Sequence, residues 1–185
     1  MFQPEGILDP TVGKAFLREE LILCGDKPLY GNYLGYPLGI AQFKDADELL
    51  KKLRNSKKLS KAGINWDDIT LTAITIREKA VDRAVAARKE GWGPDRILMM
   101  VSTDEEHHFA NSGTTLPAYW EEAKRCIEKA KDVGIKMNGT VSTIWGSPIS
   151  GPTRLEEAVE FSKRWIEIGA YDIEHADHDG SAPPD

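Results

Sequence analysis

The pattern of apolar and polar positions changes near residue 68. After that point, short β-branched or apolar runs alternate with amphipathic stretches at a spacing of roughly 30–40 residues, and such runs predict strands. The four predicted strands are ITLTAITI (69–76), ILMMVS (97–102), KMNGTVST (136–143) and YDIEHAD (171–177). Because strands that alternate with helices are joined by right-handed crossovers, the pattern predicts a parallel α/β sheet.

The stretches between these strands predict three helices, each ending at a glycine. The first two have apolar stripes around Ala84 and around Cys126. The third is expected to begin at a capping box of Thr153 and Glu156. Its buried apolar stripe is expected to consist of Leu155, Val159 and Ile166.

The first 68 residues show no such alternation. Residues 25–39, GDKPLYGNYLGYPLG, are typical of an irregular loop. Residues 45–53, DADELLKKL, predict a short amphipathic helix with Asp45 at its N-cap. RNSKKLSKAG (54–63) is expected to be a solvated connection. The chain therefore divides into an irregular or helical N-terminal segment, 1–68, and a parallel β/α segment, 69–185.

Composition excludes several classes of partner. The 185 residues are 41% hydrophobic and carry 24 basic and 30 acidic side chains, a formal net charge of −6. This balance offers no basic surface for nucleic acid or an anionic membrane. Apolar runs stay below the roughly 18 residues of a membrane span, and the N-terminus lacks a signal pattern. A cytoplasmic location is expected, with Cys24 and Cys126 as reduced packing residues.

Polar side chains collect where three of the predicted strands end. They lie in STDEEHHFANSG (102–113), STIWGSPISG (142–151) and EHADHDG (174–180). The carboxyl ends of parallel strands meet on one face of the sheet, and the loops there carry the chemistry of α/β enzymes. The three segments therefore predict one functional face.

The last segment permits three interpretations. His175 and Asp179 are weak candidates for metal ligands. Asp177 is a candidate for acid–base chemistry or substrate contact. The third interpretation is a solvated, hydrogen-bonded strand end.

Two other features of these loops carry weaker signals. His107 and His108 are expected to be solvated loop residues rather than ligands. The GSPISG loop, 146–151, could approach a phosphate through backbone N–H groups or form a tight turn, and both alternatives stay open.

The order of these motifs resembles the hydroxymethylglutaryl-CoA lyase family. GTVSTIWGSPISG (139–151) is similar to that family's strand five, G-x-V-S-x-x-x-G-x-P-x-x-G. IEHADHDGSAPP (173–184) is similar to its strand six, I-x-x-x-D-T-x-G-x-x-x-P, and STDEEHHFAN (102–111) to its strand-four loop. The resemblance covers roughly residues 69–185 and keeps the order and spacing of the motifs.

The resemblance implies a fold and an activity. The family comprises metal-dependent lyases and acyltransferases, including the isopropylmalate, homocitrate and citramalate synthases, on a (β/α)8 barrel. The implied fold is a partial (β/α)8 TIM barrel, strands three to six, after a divergent N-terminal segment. The implied activity is carbon–carbon bond cleavage or acyl transfer on a small-molecule acyl-CoA or a 2-oxo or hydroxy acid.

The resemblance also assigns roles to residues. Asp177 matches a catalytic aspartate that positions or deprotonates the substrate hydroxyl, and Asn111 matches a loop asparagine near the acyl ligand. Ser142 and His178 are expected to contact the substrate. His178 departs from the threonine usual after that aspartate, which puts the local hydrogen bonding in doubt.

A divalent metal, Mg²⁺ or Mn²⁺, is implied as cofactor, with its main ligands expected outside this chain. The Asp-Arg pair of the family's first strand has no convincing counterpart in residues 1–68. Leu17–Glu20 comes nearest, but its pattern is not that of a strand. The H-x-H ligands of strand seven would follow Asp185. The chain is therefore expected to be catalytically incomplete, as a fragment or a truncated relative.

Two alternatives remain beside this interpretation. One is a non-catalytic ligand-binding or regulatory module on a truncated barrel. The other is an open flavodoxin-like domain, which the lack of a Gly-rich loop after the first clear strand disfavours. Edge strands at 69–76 and 171–177 would leave backbone groups unpaired, so self-association to a homo-oligomer is expected.

Overall fold

The computed structural model describes residues 10–23, 33–35, 45–178 and 180. The helices are Pro10–Leu23 (α1), Ala46–Arg54 (α2), Lys57–Lys61 (α3), Glu78–Lys89 (α4), Glu105–Ser112 (α5), Leu116–Lys131 (α6) and Leu155–Glu167 (α7). The strands are Tyr33–Gly35 (β1), Thr72–Ile74 (β2), Arg96–Ser102 (β3), Lys136–Ser142 (β4), Gly146–Ser147 (β5), Gly151–Pro152 (β6) and Asp172–Ala176 (β7).

Five parallel strands form one sheet in the order β1-β2-β3-β4-β7. Each strand therefore lies beside its neighbour in the chain, whereas an open doubly wound sheet reverses its order at a switch point. The consecutive order is that of a barrel. β5 and β6 form a separate antiparallel hairpin after β4. The structure thus confirms a parallel α/β sheet and contradicts the flavodoxin-like alternative.

The first strand of the sheet was not predicted. β1 pairs with β2, with Tyr33 opposite Thr72 and Gly35 opposite Ile74. The interpretation of residues 25–39 as an irregular loop is therefore wrong at β1. The expected free edge at 69–76 is also wrong, because β1 covers it. A strand of three residues is too short to show a period, and its Gly- and Pro-rich neighbours hide it further.

The helices before β2 confirm one prediction and correct another. α2 matches the predicted helix. Asp45 precedes it without a side-chain cap bond, and its carboxylate accepts two hydrogen bonds of 2.9 Å from Lys14 Nζ of α1. The predicted solvated connection, 54–63, instead contains α3. Ser56 caps this helix by accepting from Leu59 N–H, and the Leu59 side chain is buried.

The core lies between the sheet and the helices α4 and α6. The buried strand residues of this layer include Ala73, Ile97, Met99, Val101, Met137 and Val141. The buried helix residues facing them are Val81, Ala84, Ala123, Cys126, Ile127 and Ala130. The predicted stripes of these two helices are confirmed at those positions. Cys126 is a packing residue, as expected, and burial raises the pKa of its thiol to about 12. Cys24 lies outside the described residues.

The last helix faces the sheet with different residues from those predicted. Leu155, Val159 and Ile166 are 52%, 47% and 63% exposed, while Ala158 and Trp165 are buried. The predicted stripe is therefore wrong.

The contact between Trp165 and Gly139 of β4 explains the orientation of α7. A Cβ added at Gly139 would lie 2.3 Å from Trp165 ring atoms, so the indole packs directly on the strand backbone. The predicted capping box is also wrong. Arg154 takes the N-cap position without a side-chain bond, and the Thr153 hydroxyl donates to the carbonyl of Thr143. Within the described ranges, no helix has both the length and the apolar character that crossing a membrane requires.

Candidate functional site

The polar segments meet at the carboxyl ends of three neighbouring strands. Ser102 at the end of β3 pairs in register with Ser142 at the end of β4. Ser142 in turn pairs with Ala176 at the end of β7. Asp177 and His178 follow directly. The three polar segments are therefore brought to one face of the sheet, as predicted, and their function stays a prediction.

Helix α5 positions an imidazole over this face. Asp104 caps the helix by accepting a hydrogen bond of 3.0 Å from Glu106 N–H. His107 Nδ1 then lies 2.6 Å from Ser102 Oγ, which lies 2.8 Å from Ser142 Oγ. All three of these side chains are buried.

Two more of the predicted residues lie at the opposite edge of the His107 ring, near Nε2. Its Nε2 lies 3.3 Å from His178 Nε2, and the two rings make an edge-to-face contact at 4.5 Å and 70°. Asn111, one turn further along α5, donates from Nδ2 to the His107 carbonyl at 3.0 Å. That nitrogen also lies 3.1 Å from His107 Nε2. Asn111 and His178 therefore contact His107 directly, and Ser142 reaches it through Ser102.

Both histidines of α5 are buried, so the expectation that they are solvated is wrong. Burial lowers the pKa of His107, the nearby His178 lowers it further, and Asp104 opposes the shift. Burial lowers the pKa of His108 to about 4, with smaller effects from His107 and Arg77. His108 packs edge-to-face on Tyr119 at 4.7 Å. Both imidazoles are therefore neutral at neutral pH.

The other predicted residues lie around or beyond this cluster. Asp177 is half-buried immediately after β7. His175 lies on the helix-facing side of β7, where its Nε2 is 2.8 Å from Ser162 Oγ of α7, and the structure does not bring it to His107. Asp179 lies outside the described residues. Across the residues that the structure describes, no group of three or more His, Cys, Asp or Glu side chains could hold a metal ion.

Thr143, directly after β4, has a strained backbone that the sequence did not indicate. Its φ of 56° is in the left-handed region, which is unfavourable for a β-branched residue. Hydrogen bonds hold it there: Thr103 Oγ1 donates to its carbonyl at 2.7 Å, and its own hydroxyl donates to the Ser142 carbonyl at 2.6 Å. Strain of this kind concentrates at functional sites.

The GSPISG loop forms a tight turn within the β5–β6 hairpin. Ser147 Oγ accepts from Ile149 N–H at 3.1 Å and donates to the carboxylate of Asp104. The turn alternative therefore describes its geometry, and the approach of a phosphate stays a prediction.

A surface groove of about 390 Å³ lies beside the site on the exposed side of α5, between that helix and the start of α6. Its lining includes Phe109, Ala110, Leu116 and Pro117, together with Glu105 and Glu106.

The sequence and structure have known relatives. No family model matches the chain. Hydroxymethylglutaryl-CoA lyase of Pseudomonas mevalonii is 23% identical over 149 residues, which are 80% of this chain and 44% of that protein. The cytoplasmic 3-hydroxy-3-methylglutaryl-CoA lyase of Danio rerio is 23% identical over 138 residues, 75% of this chain and 37% of that protein. The chain thus spans less than half the length of these curated relatives.

Solved structures give the same result. An HMG-CoA lyase from Acinetobacter baumannii, in complex with coenzyme A and 3-methylmalate, matches with a TM-score of 0.79 and 23% identity. The match covers 98% of this chain and 54% of that one. The HMG-CoA lyase from Brucella melitensis matches with a TM-score of 0.78 and 22% identity, over 98% of this chain and 59% of that one.

These likenesses define the fold first: the described strands are part of a TIM barrel. They also show which known proteins the chain resembles. The resemblance to the hydroxymethylglutaryl-CoA lyase family, inferred above from the motifs, is confirmed.

Proposed function

We propose that the protein is a carbon–carbon lyase or acyltransferase of the hydroxymethylglutaryl-CoA lyase type, and that these 185 residues are catalytically incomplete by themselves. Its ligand is an acyl-CoA or a 2-oxo or hydroxy acid. One observation carries the proposal: Asn111, Ser142 and His178 gather around His107 at the carboxyl ends of three neighbouring strands. The relatives make the ligand class specific, since one of them was solved with coenzyme A and 3-methylmalate.

Asp177 is the proposed catalytic residue. A carboxylate at a strand end can accept the proton of a substrate hydroxyl. The electron pair of the O–H bond then forms the new carbonyl, the adjacent carbon–carbon bond breaks, and its electrons pass to the thioester fragment as an enolate. A positioned acid–base group of this kind contributes about 10²–10⁴-fold to a rate.

The other site residues divide by exposure. Asn111 and His178 are exposed and are proposed to contact the ligand. Ser142 is fully buried against Ser102. We therefore assign its hydroxyl to holding Ser102 and His107 in place.

The described residues do not fit the Mg²⁺ or Mn²⁺ ion that the resemblance implies. Such hard cations take oxygen ligands, largely carboxylates, carbonyls and water. The cluster instead presents imidazoles and hydroxyls, with Asp177 as the carboxylate that follows the strand.

The test combines binding and turnover. The full chain is titrated with hydroxymethylglutaryl-CoA by calorimetry, and thioester products are measured by mass spectrometry with Mn²⁺ added. We expect saturable binding but little or no turnover by these 185 residues alone. In a complete barrel that contains them, Asp177→Asn should lower the rate by about 10²–10⁴-fold. Asp172→Asn, at the other end of the same strand, is the matched control and should change neither quantity.

The outcomes are distinct. Binding without turnover even in the complete barrel would favour the non-catalytic ligand-binding module. Absence of binding, or equal effects of the two substitutions, would contradict both functions.

A further inference from the structure

The distance between the Nε2 atoms of the two imidazoles in the site can be compared with the spacing of two ligands of one metal ion. His107 Nε2 and His178 Nε2 are 3.3 Å apart. Two nitrogens bound to one tetrahedral Zn²⁺ at about 2.0–2.1 Å lie about 3.3–3.4 Å apart. The separation in this protein therefore matches one edge of such a coordination shell.

The surroundings of His107 suit a metal-binding imidazole. A ligating histidine typically donates its other ring N–H to a neighbouring acceptor, which fixes the tautomer and the ring orientation. His107 Nδ1 has such a partner in Ser102 Oγ at 2.6 Å, which is held in turn by Ser142. In the tautomer in which Nδ1–H donates to Ser102, Nε2 carries a lone pair that faces His178 at 3.3 Å. The Asn111 amide nitrogen lies 3.1 Å from the same atom, so a bound ion would replace that contact.

The two histidines differ in exposure to solvent. His107 is buried and is held by Ser102 and Asn111. His178 is exposed, so its ring can turn from the edge-to-face contact until both lone pairs point at one ion. Solvent or an oxygen of a bound ligand can then complete the shell.

We propose that His107 and His178 form a binding site for a borderline transition-metal ion such as Zn²⁺ or Ni²⁺, open to solvent on the His178 side. Imidazole nitrogens prefer these ions over Mg²⁺ or Mn²⁺. The site is therefore distinct from the hard-cation centre that the family resemblance implies. His178 stands where that family's motif has threonine, so the site is expected to be a property of this chain.

The chain contains four histidines, so the proposal can be tested with matched variants. The full chain is titrated by calorimetry with ZnCl₂, NiCl₂ and MgCl₂. We expect one Zn²⁺ per chain, and weak binding of Mg²⁺. His178→Ala should weaken Zn²⁺ binding about tenfold or more, and Ser102→Ala should weaken it about 10–100-fold by freeing the His107 ring. His175→Gln, at the exposed histidine bound to Ser162, is the control and should bind as the unaltered protein does.

A second readout separates coordination from a folding defect. Nitrogen-15 spectra of the histidine side chains should show Zn²⁺ shifting the ring nitrogens of His107 and His178 but not those of His175. Thermal melts should show that His178→Ala, an exposed substitution, retains the fold. The proposal is overturned if Zn²⁺ does not bind, if His178→Ala binds it normally, or if His175→Gln abolishes binding. Each of these results leaves the pair as a plain hydrogen bond, and none depends on the lyase proposal.

Discussion

Neutral imidazoles buried in a short helix are the main feature of the site at the scale of single residues. His107 and His108 lie side by side in α5 and face different partners, Ser102 and Tyr119. The sequence around them is acidic and polar, which is typical of a solvated loop. Their burial follows from docking α5 against β3, a tertiary contact that no local pattern predicts.

The pKa of His108 leads to a first prediction. It falls from an ordinary 6.5 to about 4 in the folded protein, so the unfolded chain binds more protons between these values. The contribution of neutral His108 to the free energy of unfolding should therefore be complete above pH 6.5 and should be lost as the pH falls towards 4. His108→Phe, which keeps an aromatic ring against Tyr119, should flatten this decline in urea titrations. His175→Gln should leave it unchanged, and an equal slope in all three proteins would contradict the assignment.

The contact between Gly139 and Trp165 leads to a second prediction. An alanine Cβ at position 139 would meet the indole at 2.3 Å, and Trp165 is fully buried. Gly139→Ala should therefore lower the free energy of unfolding by about 1–3 kcal/mol, as overpacking does. Combining it with Trp165→Leu should cost less than the sum of the two single changes, because both act on one contact. Strict additivity in denaturant melts would refute the steric explanation.

At the scale of elements, a partly buried charge pair joins helices α4, α5 and α6; the Arg77 side chain is 34% exposed and that of Glu122 is 9% exposed. Arg77, just before α4, contacts Glu122 of α6 at 2.8 Å and donates to the Ser112 carbonyl at 2.6 Å. Burial by itself raises the pKa of Glu122. The hydrogen bonds from Arg77 and from Glu78 N–H outweigh it, so the net pKa is lowered from 4.5.

Removing the charge of Glu122 should weaken the contact between helices α4, α5 and α6. Glu122→Gln should lower the free energy of unfolding at neutral pH by about 1.5–3 kcal/mol, the range for hydrogen bonds to charged groups. Because the folded pKa lies below the unfolded one, the contribution of Glu122 is present above pH 4.5 and is lost as the pH falls through the folded value. Asp82→Asn, in an exposed pair with Lys129, is the control and should cost at most about 1 kcal/mol. Equal losses of unfolding free energy in the two variants would show that the Arg77–Glu122 pair stabilises the fold no more than an exposed pair does.

Sequence patterns predicted best those elements whose apolar pattern repeats over several residues of the sequence. The long apolar run of β3 and the stripes of α4 and α6 were recognisable because each repeats over several residues. β1 has three residues and was missed, and α7 was assigned the wrong face. In α7, one close contact between Gly139 and Trp165 decides which side is buried, although the apolar residues on the other side form the more regular stripe.

At the scale of the whole molecule, the described part of the sheet has two edge strands, β1 and β7. β7 pairs with β4 on one side and has no described strand on the other. Leu155, Val159 and Ile166 of α7 are exposed on the helix beside it. Unpaired backbone groups next to an apolar surface favour association with another chain.

We therefore keep the prediction that the protein self-associates, now through β7 and α7 rather than through residues 69–76. Sedimentation velocity should show oligomers whose fraction rises with concentration. The double substitution Val159→Lys and Ile166→Lys should shift the distribution towards monomer. Phe16→Lys, at an exposed apolar residue of α1, should not. A monomeric unaltered protein would exclude this surface as an interface.

The barrel fold and the resemblance to hydroxymethylglutaryl-CoA lyases were accessible from the sequence, because motifs at strand ends keep their order and spacing. The geometry of the site was only partly accessible. Asn111, Ser142 and His178 could be named by resemblance, but the residue that joins them, His107, and the strained Thr143 could not. Both depend on contacts between segments roughly 40 residues or more apart, as from Thr103 to Thr143 and from His107 to His178, which parallel pairing alone brings together.

We propose that the carboxyl ends of β3, β4 and β7 form one site for an acyl-CoA ligand. The most direct measurement is a backbone amide NMR titration of the full chain with hydroxymethylglutaryl-CoA. We predict saturable shifts concentrated in three segments, 102–112, 142–147 and 176–178, with His175→Gln as a silent control and Asn111→Ala weakening the response. Shifts that are absent, or that concentrate at the opposite ends of these strands near Arg96, Lys136 and Asp172, would contradict it.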